Sequence, residues 1–319
     1  MHPHNNLLLG CVIIYKCKGF VLGWNNRNIR KGYIMKKSHV SEGVMHAVFL
    51  VSACVSILAV ALICIFIFAN GVPAIMKISP IKFLTGTNWK PLEDQFGIFP
   101  MIVGSIYVTA GGVLVGVPIG ILCAVFMAKF CPQKLYRILK PAIELLAGIP
   151  SIVYGFFGLV VIVPAMRSLF GGSGKNIITA SVMLGIMILP TIIGVAESSI
   201  RAVPDSYYEG ALGLGATHER AVFFAVLPAA KSGILAGVIL GIGRVIGETM
   251  AVVMVAGNQA IMPHSPLEGV RTLTSNIVLE MGYASGLHKE ALIGTAVVLF
   301  VFILIINLSF SAIKGKGRD

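Results

Sequence analysis

Long runs of apolar residues alternate with short polar segments along this chain. Six runs stand out: about 44–69, 101–130, 144–163, 177–196, 232–256 and 291–312. Each is long enough to cross ~30 Å of hydrocarbon at 1.5 Å of rise per residue. A segment in lipid must satisfy its backbone N–H and C=O groups internally, so the pattern predicts six transmembrane helices. Asn70-Gly71, Cys131-Pro132 and Gly257-Asn258 are expected to end the first, second and fifth spans. Pro118 and Pro150 are expected to be tolerated kinks inside spans.

Composition agrees. Of 319 residues, 56% are hydrophobic and only 12% are charged, about half the charge of an average soluble domain. Mean hydropathy is +0.90. The formal net charge of +12 would suit nucleic acid, but the basic residues form no stripe and no aromatic-basic platform. They report topology instead. With the N-terminus inside, segments 1–43, 129–143, 200–231 and 313–319 carry 17 Lys and Arg, against 7 in the segments outside. This bias places both termini in the cytoplasm.

Residues 1–34 hold one apolar stretch, Leu7–Tyr15, too short to span. They are expected to be a disordered extension or a spurious upstream start before Met35, with 35–43 as the cytoplasmic N-terminus. The membrane domain is 44–319. None of the six cysteines forms a CxxC pair, which excludes a redox or zinc motif of that type. The seven histidines form no ligand cluster. There is no Walker A motif, no HExxH and no GxSxG. No enzymatic site and no bound cofactor are expected, and ATP hydrolysis, if used, belongs to another chain.

Segment 200–231 is the longest one on the inside. Ser206 and Glu209 have capping-box spacing and predict a short helix to about Leu214, broken at Gly215. Thr217 can cap a second short helix that Pro228 closes. Residue identity alone leaves open whether this hairpin is a plain surface feature. Glu197 and Arg201, four apart near the cytoplasmic edge, read as a surface pair.

The fifth span carries two deep charges. Counting from Ser232, Arg244 lies about 18 Å in and Glu248 about 24 Å in. A charge at mid-bilayer costs at least ~2.5–3.5 kcal/mol. A structural ion pair in this order is worth a few tenths of a kcal/mol, which does not offset that cost unless the pair faces a wet cavity or a partner helix. The other reading is an anion path, in which Arg244 offers a planar fork to phosphate oxygens and Glu248 holds the fork. Gly233, Gly237, Gly241, Gly243 and Gly247 on the same span are expected to serve close helix packing.

At 200–231 the chain resembles the permease subunits of bacterial ABC importers. Their cytoplasmic signature is met by Glu209-Gly210-Ala211, then Gly215, Ala225 and Leu227-Pro228 at intact spacing, with Gly210 and Ala225 replacing the usual residues. The resemblance implies an all-α importer-permease fold and a hairpin that docks into an ATPase; Ser206 belongs to the same segment. Leu146–Gly155 and Gly243–Val252 look like the third- and fifth-span signatures of phosphate-specific permeases, and the run through Met254–Asn258 is more similar to the C-type (PstC) than to the A-type (PstA). That likeness covers about residues 36–314. It implies half of a phosphate pathway through the bacterial inner membrane, with Arg244 and Glu248 in transport. The implied partners are a PstA-like permease, two copies of a PstB-like ATPase, a soluble PstS-like phosphate-binding protein and lipid, with no nucleic acid. Permeation of molybdate, tungstate or sulfate is the nearest alternative. An ATP-independent carrier would leave the hairpin without a purpose.

Overall fold

The computed structural model describes residues 38–315, so the expectation for 1–34 lies outside the described residues. Contacts divide the chain into two units at Val60/Ala61. The first, where described, is the beginning of helix α1 (Ser38–Ile78), and residues 44–60 expose their apolar side chains along it.

The second unit continues α1 and adds α2 (Pro80–Thr85), β1 (Trp89–Lys90) paired antiparallel with β2 (Gln95–Phe96), and α3 (Phe99–Val125). A π-turn at 126–130 ends α3. Then come α4 (Gln133–Gly148), α5 (Ser151–Phe157), α6 (Val163–Phe170) and α7 (Ile177–Arg201). Two short helices, α8 (Asp205–Gly213) and α9 (His218–Ala221), precede α10 (Leu227–Gly247). Last are α11 (Met250–Val255), α12 (Leu273–Glu280) and α13 (Gly286–Gly315). Among the described residues, six helical stretches are long and apolar enough to span a membrane, as the apolar runs predict.

Their packing follows from glycine. On α3, Gly112, Gly116 and Gly120 lie against Leu184, Ile188 and Ile192 of α7. On α10, Gly233, Gly237 and Gly241 lie against Ser199, Val195 and Ile192 of the same helix. Four-residue spacing puts each trio on one face, where the missing side chains admit a neighbouring helix. The first register ascends on both helices, so α3 and α7 run parallel. The second descends, so α10 is antiparallel to α7. Gly71 meets Ile293 and Val297 while Gly294 meets Ile75, which makes α1 and α13 antiparallel. The second and fourth spans therefore run one way and the fifth the other, and the first and sixth oppose each other. The sequence assigned Gly243 and Gly247 to packing as well; a Cβ at either would meet nothing within 4 Å, so they border open space.

Several boundaries differ from the apolar runs. Asn70-Gly71 does not end the first helix: the Asn70 amide donates back to the Phe66 carbonyl at 2.8 Å, and the helix continues to Ile78. It stops at Ser79, held at φ 86° before Pro80. The third span starts at Ser151, not 144. Residues 133–148 form a separate amphipathic helix that packs Tyr136, Leu139 and Ile143 inward, and Pro150 is the residue before the span, not a kink within it. Pro228 closes nothing. The chain stays helical from His218 to Gly247, because a π-turn at 222–226 takes up the backbone irregularity that a proline lacking N–H imposes.

Glu197 and Arg201 are not a surface pair. Glu197 is 1% exposed and accepts from Arg201 Nε at 2.6 Å, Lys140 Nζ at 2.6 Å and Tyr136 OH at 2.8 Å. A lone carboxylate four residues before an arginine gives no sign in sequence that helix α4 folds over it.

Replacing Gly116 by Val should test the α3–α7 ladder. Its Cβ would lie 2.8 Å from the Gly185 carbonyl oxygen, a backbone atom that cannot swing away. Overpacking of this kind costs about 1–3 kcal/mol. Thermal unfolding in detergent should show a lowered midpoint, whereas Ala at Gly210, where a Cβ meets nothing within 4 Å, should not lower it.

Candidate functional site

The fifth span is where charge and irregular backbone meet. Helix α10 ends at Gly247. Glu248 is extended (φ −71°, ψ 130°), Thr249 turns the chain, and α11 restarts at Met250. Arg244 therefore sits in the last turn of α10, where the carbonyl ends of a helix favour a cation. Arg244 and Glu248 are both half-buried, but the break removes the shared helical face that their spacing suggests. Among the described residues no ion pair joins them.

Glu248 does something else. Its Oε1 accepts from the Ala251 N–H at 3.2 Å, so it occupies one of the orphan donors at the start of α11. Its carbonyl accepts from the Thr274 hydroxyl at 3.1 Å. Thr274 belongs to α12, whose first turn is polar: Thr272 caps it by accepting from the Ser275 N–H at 3.2 Å, and Ser105 of α3 accepts from the Leu273 N–H at 3.0 Å. The expected clamp of Glu248 on the guanidinium is thus replaced by a carboxylate that fixes the helix break. Arg244 donates no hydrogen bond to another described residue, and the two flanking glycines leave space beside it. Such a planar guanidinium can take two oxygens of an oxyanion in bidentate fashion.

A third deep charge is fully paired. Beyond the break, Glu280 (6% exposed) accepts from Arg271, from Trp89 Nε1 at 2.7 Å and from His288 Nε2 at 2.8 Å. Sequence inspection missed this cluster because its members lie on four separated segments. The aromatic contacts of His288 with Trp89 and Phe96 have no local sequence signal either.

The second candidate feature is the hairpin at 205–217. Helix α8 begins at Asp205 after Pro204, and no side chain caps it. Ser206 and Glu209 make no capping box; both are exposed in the first turns of α8. The end of α8 matches expectation. Gly215 takes φ 84°, its N–H donates to Leu212 O at 2.9 Å, and the Ala216 N–H donates to Ala211 O at 3.1 Å, which is a Schellman closure. Thr217 caps α9 by accepting from the Arg220 N–H at 3.4 Å. Gly210 is exposed, Ala211 is half-buried, and Leu227 and Pro228 start α10.

The hairpin is anchored at its base. Tyr208 OH and His218 Nδ1 share a hydrogen bond of 2.6 Å across the two helices. The His218 ring packs edge-on against Phe130, centroids 4.7 Å apart, and Lys129 lies 5.6 Å from the Tyr208 ring centroid. Its tip is bare: Leu214 is 92% exposed, and Phe224 is exposed beside the groove that Ala211, Gly215 and Ala216 line. No four-residue cluster of His, Cys, Asp and Glu is needed for such a surface, and none of three or more that could hold a metal occurs among the described residues.

Comparison with known proteins shows the family of the chain as a whole. Residues 116–315 match the family described as binding-protein-dependent transport system inner membrane component. The chain is 36% identical to the probable ABC transporter permease protein YqgH of Bacillus subtilis, over 88% of this chain and 96% of that one. It is 32% identical to the phosphate transport system permease protein PstC of Mesorhizobium japonicum, over 85% and 89%, and 35% identical to PstC of Pasteurella multocida, over 74% and 82%. Its fold is shared with a solved bacterial ABC transporter involved in import of the acidic polysaccharide alginate (TM-score 0.62, 13% identity, 88% of this chain and 99% of that chain). It is shared also with the MetNI methionine ABC transporter (TM-score 0.57, 20% identity, 73% and 100%). This chain belongs to the binding-protein-dependent inner-membrane permeases of ABC importers, in the branch that holds the PstC phosphate permeases.

Proposed function

We propose that the chain forms half of the translocation pathway of an ATP-driven phosphate importer, with both termini in the cytoplasm. A PstA-like permease would supply the other half, two copies of a PstB-like ATPase the work, and a soluble PstS-like protein the phosphate. The observation that carries the substrate reading is Arg244. It is a permanent charge in a span, beside glycines that border open space, with no carboxylate paired to it among the described residues. Guanidinium geometry suits phosphate oxygens, and the neighbouring break in the helix supplies irregular backbone of the kind that membrane proteins tolerate only where protein or a wet cavity surrounds it.

The hairpin supplies the link to ATP. It is exposed, closed by a left-handed glycine, and tied at its base to the end of the second span through Lys129 and Phe130. A partner that grips its tip would move the base with it. ATP can shift the pathway between two states only through contacts that differ between them, and the bare apolar tip offers such contacts.

Two outcomes follow. Arg244→Gln, reconstituted in vesicles with its partners, should lose about tenfold or more of labelled-phosphate uptake, the loss expected for a hydrogen bond to a charged group worth about 1.5–3 kcal/mol. Copurification of the partners should be unchanged, and wild-type uptake would refute the role. Gly215→Val forces a side chain into left-handed backbone at a cost of about 1–2 kcal/mol. It should lower the phosphate moved per ATP hydrolysed, and an unaltered ratio would refute hairpin coupling.

A further inference from the structure

Glu197 is a buried carboxylate for which the pathway has no use. It lies near the end of α7, five residues from the chain's turn into the hairpin at Ala202. Three donors converge on it from two elements: Tyr136 and Lys140 of α4, and Arg201 of its own helix. Arg201 also donates through Nη2 to the Met127 carbonyl at 2.8 Å, inside the π-turn at 126–130. The Arg201 guanidinium stacks 4.3 Å from the Tyr136 ring centroid. Two residues beyond Met127, Lys129 reaches Asp205 at 3.9 Å and the Tyr208 ring, and Phe130 holds His218.

These contacts form a continuous chain. It runs from α4 through Glu197 to Arg201, across to the π-turn, and from the π-turn into both helices of the hairpin. A surface ion pair would contribute about 0–1 kcal/mol and would slip under load. A carboxylate buried to 1% exposure with three donors behaves differently, since losing one donor leaves part of a buried charge uncompensated, although Lys140 and Arg201 themselves reach solvent. The hydrogen bond to Glu197 is the leading cause that raises the Lys140 ammonium above its usual range. A raised lysine contributes its full stabilisation below its unfolded value and loses it only as pH rises through the folded one. On the lysine side, then, the cluster stays charged at neutral pH.

We infer that Glu197 is a positioning residue for coupling: it locks α4, α7 and the π-turn of the second span into one body, so that force on the hairpin is passed to the spans. This rests on the proposed function of the hairpin. Glu197 touches neither phosphate nor ATPase in this reading and acts through Arg201 and Lys140.

The test is the number of phosphate ions moved per ATP hydrolysed, measured in vesicles holding the full complex, with and without binding protein. A purely structural role would lower the amount of folded complex and reduce uptake and hydrolysis together, leaving the ratio unchanged. Glu197→Gln should instead lower the ratio by about fivefold or more, the low end of measured coupling energies between sites. Lys140→Met and Tyr136→Phe each remove one donor, and they should lower the ratio by less, so the inference stays testable if Glu197→Gln fails to assemble. An unchanged ratio in Glu197→Gln, or in both donor variants where it does not assemble, overturns the inference. Gly215→Val separates the two readings. If it lowers the ratio while the Glu197 cluster variants do not, the clamp alone is wrong. If it also leaves the ratio intact, hairpin coupling fails with it.

Discussion

Hydrocarbon offers no partner to a backbone amide or carbonyl, and each one left unsatisfied there costs several kcal/mol. The architecture is shaped by where the chain departs from helix under that penalty. At Ile149-Pro150 the Tyr154 hydroxyl reaches back to the Leu146 carbonyl at 2.7 Å. At Glu248-Thr249 one side chain caps the restarting helix and Thr274 takes the carbonyl. Past α11, the Val270 N–H donates to Ala256 O at 2.8 Å, and the Asn258 side chain donates to Val253 O at 2.7 Å. The start of α7 is met by Asn176 and by the carbonyls of Pro266 and Glu268. The interruptions are thus constructed, each closed by nearby polar side chains or by backbone groups of another segment.

The same accounting sorts the charges. Glu197 and Glu280 are both nearly inaccessible, and each is saturated by three donors. A saturated carboxylate holds elements together and has nothing left to offer a ligand. Arg244 is the contrast. It sits in a span, at the carbonyl end of a helix, with open space at Gly243 and Gly247. Among the described residues no side chain pairs with it, so beyond the helix carbonyl end its charge is open to water or, in the proposed reading, to the anion in transit. Charge alone does not distinguish these three residues; the number of donors or acceptors already engaged does.

Much of this was legible in sequence where a rule is local. Apolar run length gives the six spans, Gly215 gives the hairpin break, and Thr217 gives the cap of α9, because each depends on a few consecutive residues. Failures occur where a distant element intervenes. Asn70-Gly71 looks like a stop, yet the glycine is retained inside α1 because α13 packs against it. Residues 144–150 are apolar enough to join the third span, yet they close an amphipathic helix whose inner face is claimed by the second and fourth spans. Arg244 and Glu248 have ion-pair spacing, and only the backbone break at Glu248 shows that they do not use it. The Glu197 clamp was unreadable for the same reason: Tyr136 and Lys140 lie some sixty positions upstream.

Helix α7 shows how these features combine. Glycine ladders on α3 and α10 press against it from two sides, and close-packed helices of this kind resist internal bending because interiors have almost no spare volume. A push at its hairpin end would meet this packing on two faces. On the proposed function, such a push would turn the packed helices as bodies and be taken up where helical continuity ends. On α10 that place is the Gly247–Thr249 break, three residues past Arg244. In the proposed reading, a force applied to the hairpin would be spent beside Arg244, a guanidinium with no carboxylate partner among the described residues. In that reading a grip on the hairpin would change how tightly an anion is held at Arg244, without the motor touching the anion.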